Sequence, residues 1–279
     1  KGSFLTYIDL LASQRDDSPG NHGNWTSMIK HLKAFRPNDL TFNEVNQEFV
    51  KDFKIYLEKN AIAHGNQQLS QNSKYSYFNK FRAALKQAVK DGIIQTNPSE
   101  GVEAFKQGEP ERDFLTLQEL QSAVKAECEI PILKTAFIFS CLTGLRWSDI
   151  NKLVWSEIQH SKEMGYYIRF RQKKTKGAET LPISEQAFSL LGERDHKDER
   201  VLKGLKYSAW HNLKLQQWML RAGISKTITF HCARHTYATL QLTLGTDIYT
   251  VSKLLGHKEL KTTQVYAKII DDKKKEAAG

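Results

Sequence analysis

Side chains that can handle a phosphate group stand in separated segments of the sequence. The segments are 143–150 (TGLRWSDI), 174–175 (KT), 231–236 (HCARHT) and 254–266 (LLGHKELKTTQVY). Transfer of a phosphodiester needs a nucleophile, positive groups at the phosphoryl oxygens and an acid for the leaving group. Any one segment is weak evidence, because a lone arginine, lysine or tyrosine is usually a surface or core residue. Their joint presence in one chain predicts an enzyme that transfers phosphodiesters.

Two of these segments are predicted to lie at helix ends. One helix should end at Gly144 and the next should begin with Ser148 as its cap, so Arg146 falls in the turn beside a helix N-terminus, where anions bind. His231 and Arg234 stand three residues apart, so a helix would place them on one face. Both arrangements would present hydrogen-bond donors to a phosphate.

Taken in order, these motifs resemble the signature of the tyrosine recombinases, also called phage-type integrases. That family carries Arg, Lys, His-x-x-Arg, His or Trp, and Tyr, and the phrases TGLRWSDI, HCARHTYATL and LLGHKELKTTQVYA are similar to its signature boxes. The resemblance runs from Thr143 to Tyr266 without a departure from the pattern. It implies an active site made of Arg146, Lys174, His231, Arg234, His257 and Tyr266.

The expected chemistry starts with Tyr266, whose phenolic oxygen would be the nucleophile. A free tyrosine has a pKa of ~10, so this one needs help in losing its proton near neutral pH. Arg146 and Arg234 would clamp the non-bridging oxygens of the phosphate with paired N–H donors, a geometry that lysine cannot copy. The product would be a 3′-phosphotyrosine and a free 5′-hydroxyl.

The remaining signature residues would assist this attack. His257 would donate another hydrogen bond to the phosphate, and Lys174 would protonate the 5′-oxygen as it leaves. Lys174 is preferred to its neighbours because the family's lysine directly precedes Thr in similar hairpins. His231 would either act as the base toward Tyr266 or position it. Because the covalent link keeps the bond energy, the reaction needs neither ATP nor a metal, and no cofactor is expected.

Several neighbouring residues have a supporting role or a structural one. Asp149 either orients an active-site group or, equally well, stabilises a helix N-terminus as a first-turn acid. The resemblance favours His235 as a support behind the site, whereas Cys232 is expected to be a small buried filler. Lys173 and Lys176 are predicted to contact DNA phosphates without taking part in the chemistry.

The first hundred residues predict a small all-α module. Apolar residues at helical spacing indicate helices over 4–12, 25–35, 47–59 and 71–90, with a polar loop over 16–23 between the first two. The last helix is the best delimited, because Ser70 can cap its start and Gly92 stands where a C′ glycine belongs. This module resembles the family's core-binding domain in character, although no motif identifies it.

After a polar linker over 106–112, the pattern changes. Thr116 and Glu119 have the spacing of a capping box, and a further helix is predicted over 132–142. The segments 166–170 and 179–183 alternate like strands, which predicts a β-hairpin with a basic tip, and the chain beyond Ser184 is mainly helical. The expected fold is therefore mainly α with a small β-sheet (α+β): a helical, SAM-like core-binding domain over 1–107, then a catalytic domain over 108–279.

Composition favours a partner that carries phosphate. Lys and Arg total 41 against 31 Asp and Glu, for a net charge of +10, although charge alone fits a merely basic soluble protein equally well. The odd number of cysteines and the absence of a CxxC pair argue against a disulfide framework or zinc site. No apolar run is long enough to cross a bilayer. The opening KGSF lacks Met and an apolar leader, so we expect a cut N-terminus, which fits the absence here of the arm-type domain that many members of the resembled family carry upstream.

These observations predict a site-specific recombinase that integrates or excises a mobile element. As the resemblance implies, a homotetramer would act on two double-stranded DNA sites, with an accessory DNA-bending factor, at the nucleoid in the cytoplasm of a bacterium. Two alternatives stay open. One is a type IB topoisomerase, which uses the same chemistry to relax supercoils, and the other is a DNA-binding protein that keeps the fold without catalysis.

Overall fold

The computed structural model describes residues 2–15, 19–63, 65–108, 113–171 and 178–278. The chain divides into two compact units, Lys1–Pro110 and Glu111–Gly279. Each unit has its own hydrophobic core. The prediction of a mainly helical fold with a small β-sheet is confirmed.

The first unit is helical in its described residues. Its helices are α1 (Phe4–Ser13), α2 (Pro19–Phe35), α3 (Gln47–Lys59) and α4 (Gln71–Lys90). Polar caps begin α1, α3 and α4, where the side chains of Ser3, Asn46 and Ser70 accept hydrogen bonds from backbone amides in the first turn. The apolar faces meet in a core rich in aromatic rings, in which Phe81 packs edge-on against Phe53 at 4.9 Å.

The start of α2 corrects the sequence prediction. The polar stretch 16–23 was expected to be a loop, yet α2 begins at Pro19 and includes both Gly20 and Gly23. Proline is well tolerated in the first turn, because its missing N–H has no helical partner there. Packing of the helix through Trp25 and Met28, which are fully buried, outweighs the low helix propensity of the glycines.

The second unit combines helices with a small sheet. Its elements are α5 (Leu117–Lys125), α6 (Pro131–Thr143), α7 (Trp147–Lys152), a 3₁₀ turn (Trp155–Glu157), β1 (Ile158–Ser161), β2 (Gly165–Arg171), β3 (Ala178–Pro182), α8 (Glu185–Ser189), α9 (Ala209–Arg221), α10 (Cys232–Thr243), α11 (Ile248–Leu254) and α12 (Lys261–Ala278). The predicted capping box is present, since Thr116 and Glu119 each accept from the other's backbone amide. The charged segment 271–278 continues α12.

The predicted hairpin forms part of a three-stranded antiparallel sheet in the order β1-β2-β3. In its register Ile168 faces Leu181 across β2 and β3, and Ile158 faces Ile168 across β1 and β2. All three side chains are buried in the core of the second unit. The tip of the hairpin, 172–177, lies outside the described residues.

The turn between α6 and α7 also differs from expectation. Gly144 ends α6 in the left-handed conformation (φ 71°), as predicted. Helix α7, however, begins at Trp147 with Arg146 at the N-cap position, and Ser148 lies inside the helix. Ser148 is therefore not the cap. The short connection from Gly144 leaves no room for a longer turn, so Arg146 itself occupies the helix end.

Candidate active site

Helix α10 supplies the central arginine of the site. Arg234 is only 4% exposed, and its guanidinium donates hydrogen bonds to the carbonyl oxygens of Gly144 (2.5 Å) and Leu255. Burial, and then the positive charge of Arg146, lower the pKa of Arg234 to about 9. The guanidinium therefore remains charged at neutral pH. An anion such as a phosphate would offset both the burial and the repulsion between the two arginines.

Arg146 reaches the same region from the start of α7. Its guanidinium lies 3.9 Å from the carboxylate of Asp149, and the ammonium of Lys152 lies 3.9 Å from the other oxygen of that carboxylate. Asp149 is 2% exposed, although a first-turn acid is usually solvated. A buried carboxylate between two cations fixes the direction of both, so its position fits an orienting role for Asp149 toward Arg146.

Tyr266 is held against α10 by the first turns of α12. Its hydroxyl is hydrogen-bonded to His235 Nδ1 at 2.6 Å, and its ring packs in a small apolar cluster with Tyr237, Val251 and Leu255. Only 1% of Tyr266 and 5% of His235 are exposed. The histidine predicted as a support behind the site therefore contacts the tyrosine hydroxyl itself.

His231 and His257 approach from two other directions. His231 stands at the N-cap of α10, is exposed, and packs its ring edge-on against His235 with a centroid distance of 4.5 Å. His257 follows α11 and shares a hydrogen bond of 2.8 Å with the hydroxyl of Thr263, through its Nδ1. Thr263 is fully buried. Its hydroxyl therefore fixes the orientation of the half-buried His257 ring.

The structure brings most of the predicted site residues to one end of α10. Arg146, Asp149 and Tyr266 act on Arg234 through their charges, and His235, the next residue on α10, is hydrogen-bonded to Tyr266. The predicted lysines Lys173, Lys174 and Lys176 lie outside the described residues. Cys232 is buried, as expected of a filler, and is hydrogen-bonded to Thr229.

Sequence reasoning missed Thr263 as a contributor to the site. It stands three residues before Tyr266, so a helix places both on one face, and this spacing is the signal that could have identified it. The Leu255 carbonyl was also missed, because a backbone acceptor leaves no trace in a sequence.

No group of three or more His, Cys, Asp or Glu side chains in the described part of the chain is arranged to hold a metal ion. Likewise, none of the helices formed by these residues has the length and apolar character needed to span a bilayer.

Two family models match the chain in the order of its two units. The model described as phage integrase SAM-like domain matches residues 3–106, and the model described as phage integrase family matches residues 113–273. Together they define a class of enzymes that break and rejoin DNA without a metal or ATP. The chain belongs to the phage integrase family, the tyrosine recombinases.

Individual relatives agree with this assignment. A tyrosine recombinase of Thermosipho africanus is 28% identical over 282 residues, covering 97% of this chain and 96% of the relative. The integrase of Haemophilus phage HP1 is 28% identical over 274 residues, covering 94% and 74%. In fold, the chain is similar to lambda integrase solved as a tetramer bound to a Holliday junction, with a TM-score of 0.72, 20% identity, and coverage of 94% of this chain and 75% of that one.

Proposed function

We propose that this chain is a site-specific recombinase that cleaves DNA through a 3′-phosphotyrosine at Tyr266 and thereby integrates or excises a mobile element. One observation carries the proposal. The Tyr266 hydroxyl lies 2.6 Å from His235 Nδ1, and Tyr266 also acts on the charge of the neighbouring Arg234. A nucleophile, a hydrogen-bond partner and a phosphate-binding cation are thus on one chain and in one place.

In the proposed reaction, Tyr266 Oη loses its proton to a histidine at the N-terminal end of α10 and forms a bond to the scissile phosphorus, while the bond from phosphorus to the 5′-oxygen breaks. Arg146 and Arg234 hold the non-bridging oxygens, where negative charge increases in the transition state. His257 donates a further hydrogen bond, with its ring fixed by Thr263. Lys174 gives its proton to the departing 5′-oxygen. Rejoining is the reverse reaction with the 5′-hydroxyl of a partner strand.

Each of the two units would have its own role on the DNA. We assign the core-binding role to residues 1–107 and the catalytic role to 108–279, with Lys173 and Lys176 on DNA phosphates. Double-stranded DNA is the partner, and four copies would act on two sites, in line with the tetramer described for lambda integrase. An accessory DNA-bending factor and action at the nucleoid in the bacterial cytoplasm complete the proposal.

The test is a covalent-trapping experiment. The protein is mixed, without metal, with a nicked suicide duplex that carries its core site, and an SDS-resistant protein–DNA band is sought. Wild type should form the band and Tyr266→Phe should not, because the phenyl ring keeps the packing but has no hydroxyl to attack phosphorus. The variant should bind the same duplex as tightly as wild type, since the arginines remain.

Other results would favour the alternatives. Tight binding without a band in wild type would indicate a DNA-binding protein without catalysis. A band that survives in Tyr266→Phe would mean that another residue is the nucleophile. Relaxation of supercoiled DNA by a monomer, with no need for a specific site, would favour a type IB topoisomerase.

A further inference from the structure

We propose that Ser140 is a positioning residue for DNA cleavage, whose hydroxyl sets the direction in which Arg146 approaches the scissile phosphate. The inference rests on the proposed function, because Arg146 is one of the two arginines that would hold the non-bridging oxygens. Ser140 lies on α6 and belongs to none of the segments from which the site was predicted. Its role follows from hydrogen bonds that form only in the folded chain.

The hydroxyl of Ser140 makes an unusual hydrogen bond for a serine inside a helix. Such a hydroxyl ordinarily returns to the carbonyl four residues earlier, as that of Thr143 does to Phe139 at 2.7 Å. Ser140 is 1% exposed and donates instead to the carbonyl of Leu145, five residues later and outside the helix, at 2.7 Å. The bond therefore joins α6 to the turn that carries Arg146.

This bond fixes a peptide plane that includes atoms of Arg146 itself. The Leu145 carbonyl belongs to the peptide unit that ends at the nitrogen and Cα of Arg146, and the atoms of such a unit are coplanar. On the other side, the Arg146 carbonyl accepts hydrogen bonds from the amides of Asp149 and Ile150, at 2.9 and 3.0 Å, as α7 begins. The Cα of Arg146 is thus held from both sides, and its side chain leaves from a fixed point.

The Leu145 carbonyl depends on Ser140 for its hydrogen bond. Leu145 is buried and precedes the N-cap of α7, so its carbonyl lies outside the hydrogen-bond pattern of that helix. Within the described part of the chain, no backbone amide donates to it. Without the hydroxyl, the buried carbonyl would lack a donor, and its peptide would turn to find one. That rotation would move Arg146.

The preceding carbonyl of the same turn is held from a different helix. Arg234 of α10 donates to the Gly144 carbonyl, so two consecutive carbonyls are bonded to side chains of α10 and α6. The amide of Gly144 in turn donates to the Ser140 carbonyl at 2.8 Å. Of the two side-chain bonds, the one from Ser140 can be removed without changing a proposed phosphate-binding residue. A substitution of Ser140 therefore tests positioning separately from phosphate binding.

The first experiment measures single-turnover cleavage of the suicide duplex by Ser140→Ala. We expect the rate to fall by about 10- to 10²-fold, because a displacement of about 1 Å in a positioning group can cost about 10²-fold. Affinity for the duplex should stay as in wild type, since both arginines keep their charge. Ser99→Ala, the same substitution at an equally buried serine of the first unit, is the matched control and should cleave as wild type. Because Ser99 is buried, its side chain does not contact DNA.

A second variant keeps the test valid if Ser140→Ala folds poorly. Ser140→Cys retains a donor, but a weaker one, so its cleavage rate should lie between those of wild type and Ser140→Ala. Thermal unfolding of the three proteins gives the fraction of each that is folded at the assay temperature. Rates that follow this folded fraction alone would contradict a positioning role.

Two measurements separate an effect through Arg146 from a general loss of structure. In an Arg146→Lys background, Ser140→Ala should lower the rate far less than it does in wild type, because the arginine that Ser140 positions is already gone. A duplex with a methyl group in place of one non-bridging oxygen carries no charge at the scissile phosphate, so the Ser140→Ala defect should shrink on it. A general loss of structure would lower the rate by the same factor in both backgrounds and on both duplexes.

Several results would overturn the inference while the proposed function stands. These are wild-type cleavage by Ser140→Ala, an equal defect in the Arg146→Lys background, or a defect that the methylated duplex leaves unchanged. A wild type that forms no covalent adduct on its core site would instead refute the proposed function itself, and the role of Ser140 with it.

Discussion

The cores of the two units differ in what they bury. In the first unit, the buried polar residues among those described are His31 and Ser99, and aromatic rings fill the space between the helices. In the second unit, the buried polar and charged residues are Ser140, Thr143, Asp149, Arg234, His235, Thr236, Thr239, Ser252 and Thr263. Those on α10 are satisfied by hydrogen bonds, as in Thr236, which accepts from the Leu115 amide at 2.9 Å.

The comparison shows that the two interiors contribute to stability in different ways. An apolar core is stabilised by the area it removes from water, whereas a buried arginine gains little and has to be held by acceptors. The buried polar groups of the second unit therefore add less to its free energy of unfolding than apolar groups would. They fix the geometry around Arg234 instead. Mutations should expose this contrast, since core changes in the first unit lower stability and polar changes in the second lower the rate.

The largest expected loss of stability comes from Phe81→Ala in the first unit. Phe81 is fully buried and packs against Phe53 at 4.9 Å and Phe4 at 5.9 Å. Its removal should lower the free energy of unfolding by about 3–5 kcal/mol, as measured by urea denaturation. Phe81→Leu, which keeps most of the volume, should lose far less. Equal losses in the two variants would mean that the buried volume at this position is not the source of the lost stability.

Arg234→Lys should change the rate rather than the fold. A lysine ammonium cannot donate to the Gly144 and Leu255 carbonyls and also clamp two phosphate oxygens. We expect single-turnover cleavage to fall by about 10²–10³-fold, the usual loss on removal of one preorganised donor. Arg221→Lys, at an exposed arginine paired with Glu129, is the control and should cleave normally. Cleavage by Arg234→Lys at the wild-type rate would contradict the proposed role of Arg234 in holding the phosphate.

Gly144→Ala should disturb the packing beside the buried polar groups of the second unit. The added Cβ would lie 2.6 Å from Tyr237 Cδ1 and 3.0 Å from Leu255 Cδ2, on a backbone with φ of +71°. The free energy of unfolding should fall by about 3 kcal/mol, through the backbone conformation and the overpacking together. Gly192→Ala has a similar φ of +76° but open space around it, so it isolates the backbone part. Similar losses in both variants would contradict a role for packing.

The smallest effect concerns pH and the Glu119–Lys226 pair. Burial raises the pKa of Glu119, but hydrogen bonds from Lys226 and the Thr116 amide outweigh this and lower it overall. A lowered folded-state pKa gives stability above the unfolded value of about 4.3, which is lost as the pH falls through the folded value. Wild type should therefore exceed Glu119→Gln by at most about 1 kcal/mol at neutral pH.

That difference should disappear in acid. Melting temperatures measured from neutral pH into acid would follow it, because Glu119 becomes uncharged, like Gln, once the pH is below its folded-state pKa. Glu163→Gln, at an exposed residue in the turn between β1 and β2, should show no difference at any pH. A gap between wild type and Glu119→Gln that persists in acid would mean that packing, not charge, sets the effect.

The features that could be predicted from the sequence are helix ends, because these depend on residues close together along the chain. The Thr116 capping box, the Ser70 cap and the glycine end of α6 are signals of a few residues, and all three are present. Strand β1 was missed because its short sequence, IQHS, has no clear alternation and gains its conformation from pairing with β2. The start of α2 was misplaced for a similar reason, since packing decides it.

The candidate site shows the same limit. The motif residues could be identified from type and order, because the resemblance supplies their grouping. The bond between His235 and Tyr266 joins residues that are 31 positions apart, and no local pattern distinguishes it from a bond to His231. Whether a histidine four residues further along a helix meets the hydroxyl depends on how α12 packs on α10, which only the folded chain determines.

The two carbonyls that Arg234 holds have a consequence for how the site is assembled. Gly144 lies two residues before Arg146, and Leu255 lies two residues before His257. One guanidinium therefore sets the spacing between the two loops that carry Arg146 and His257, the other proposed phosphate-binding residues. If either loop shifts, its hydrogen bond to Arg234 is strained or lost. A displacement of one loop therefore changes the position of the guanidinium that also holds the other loop.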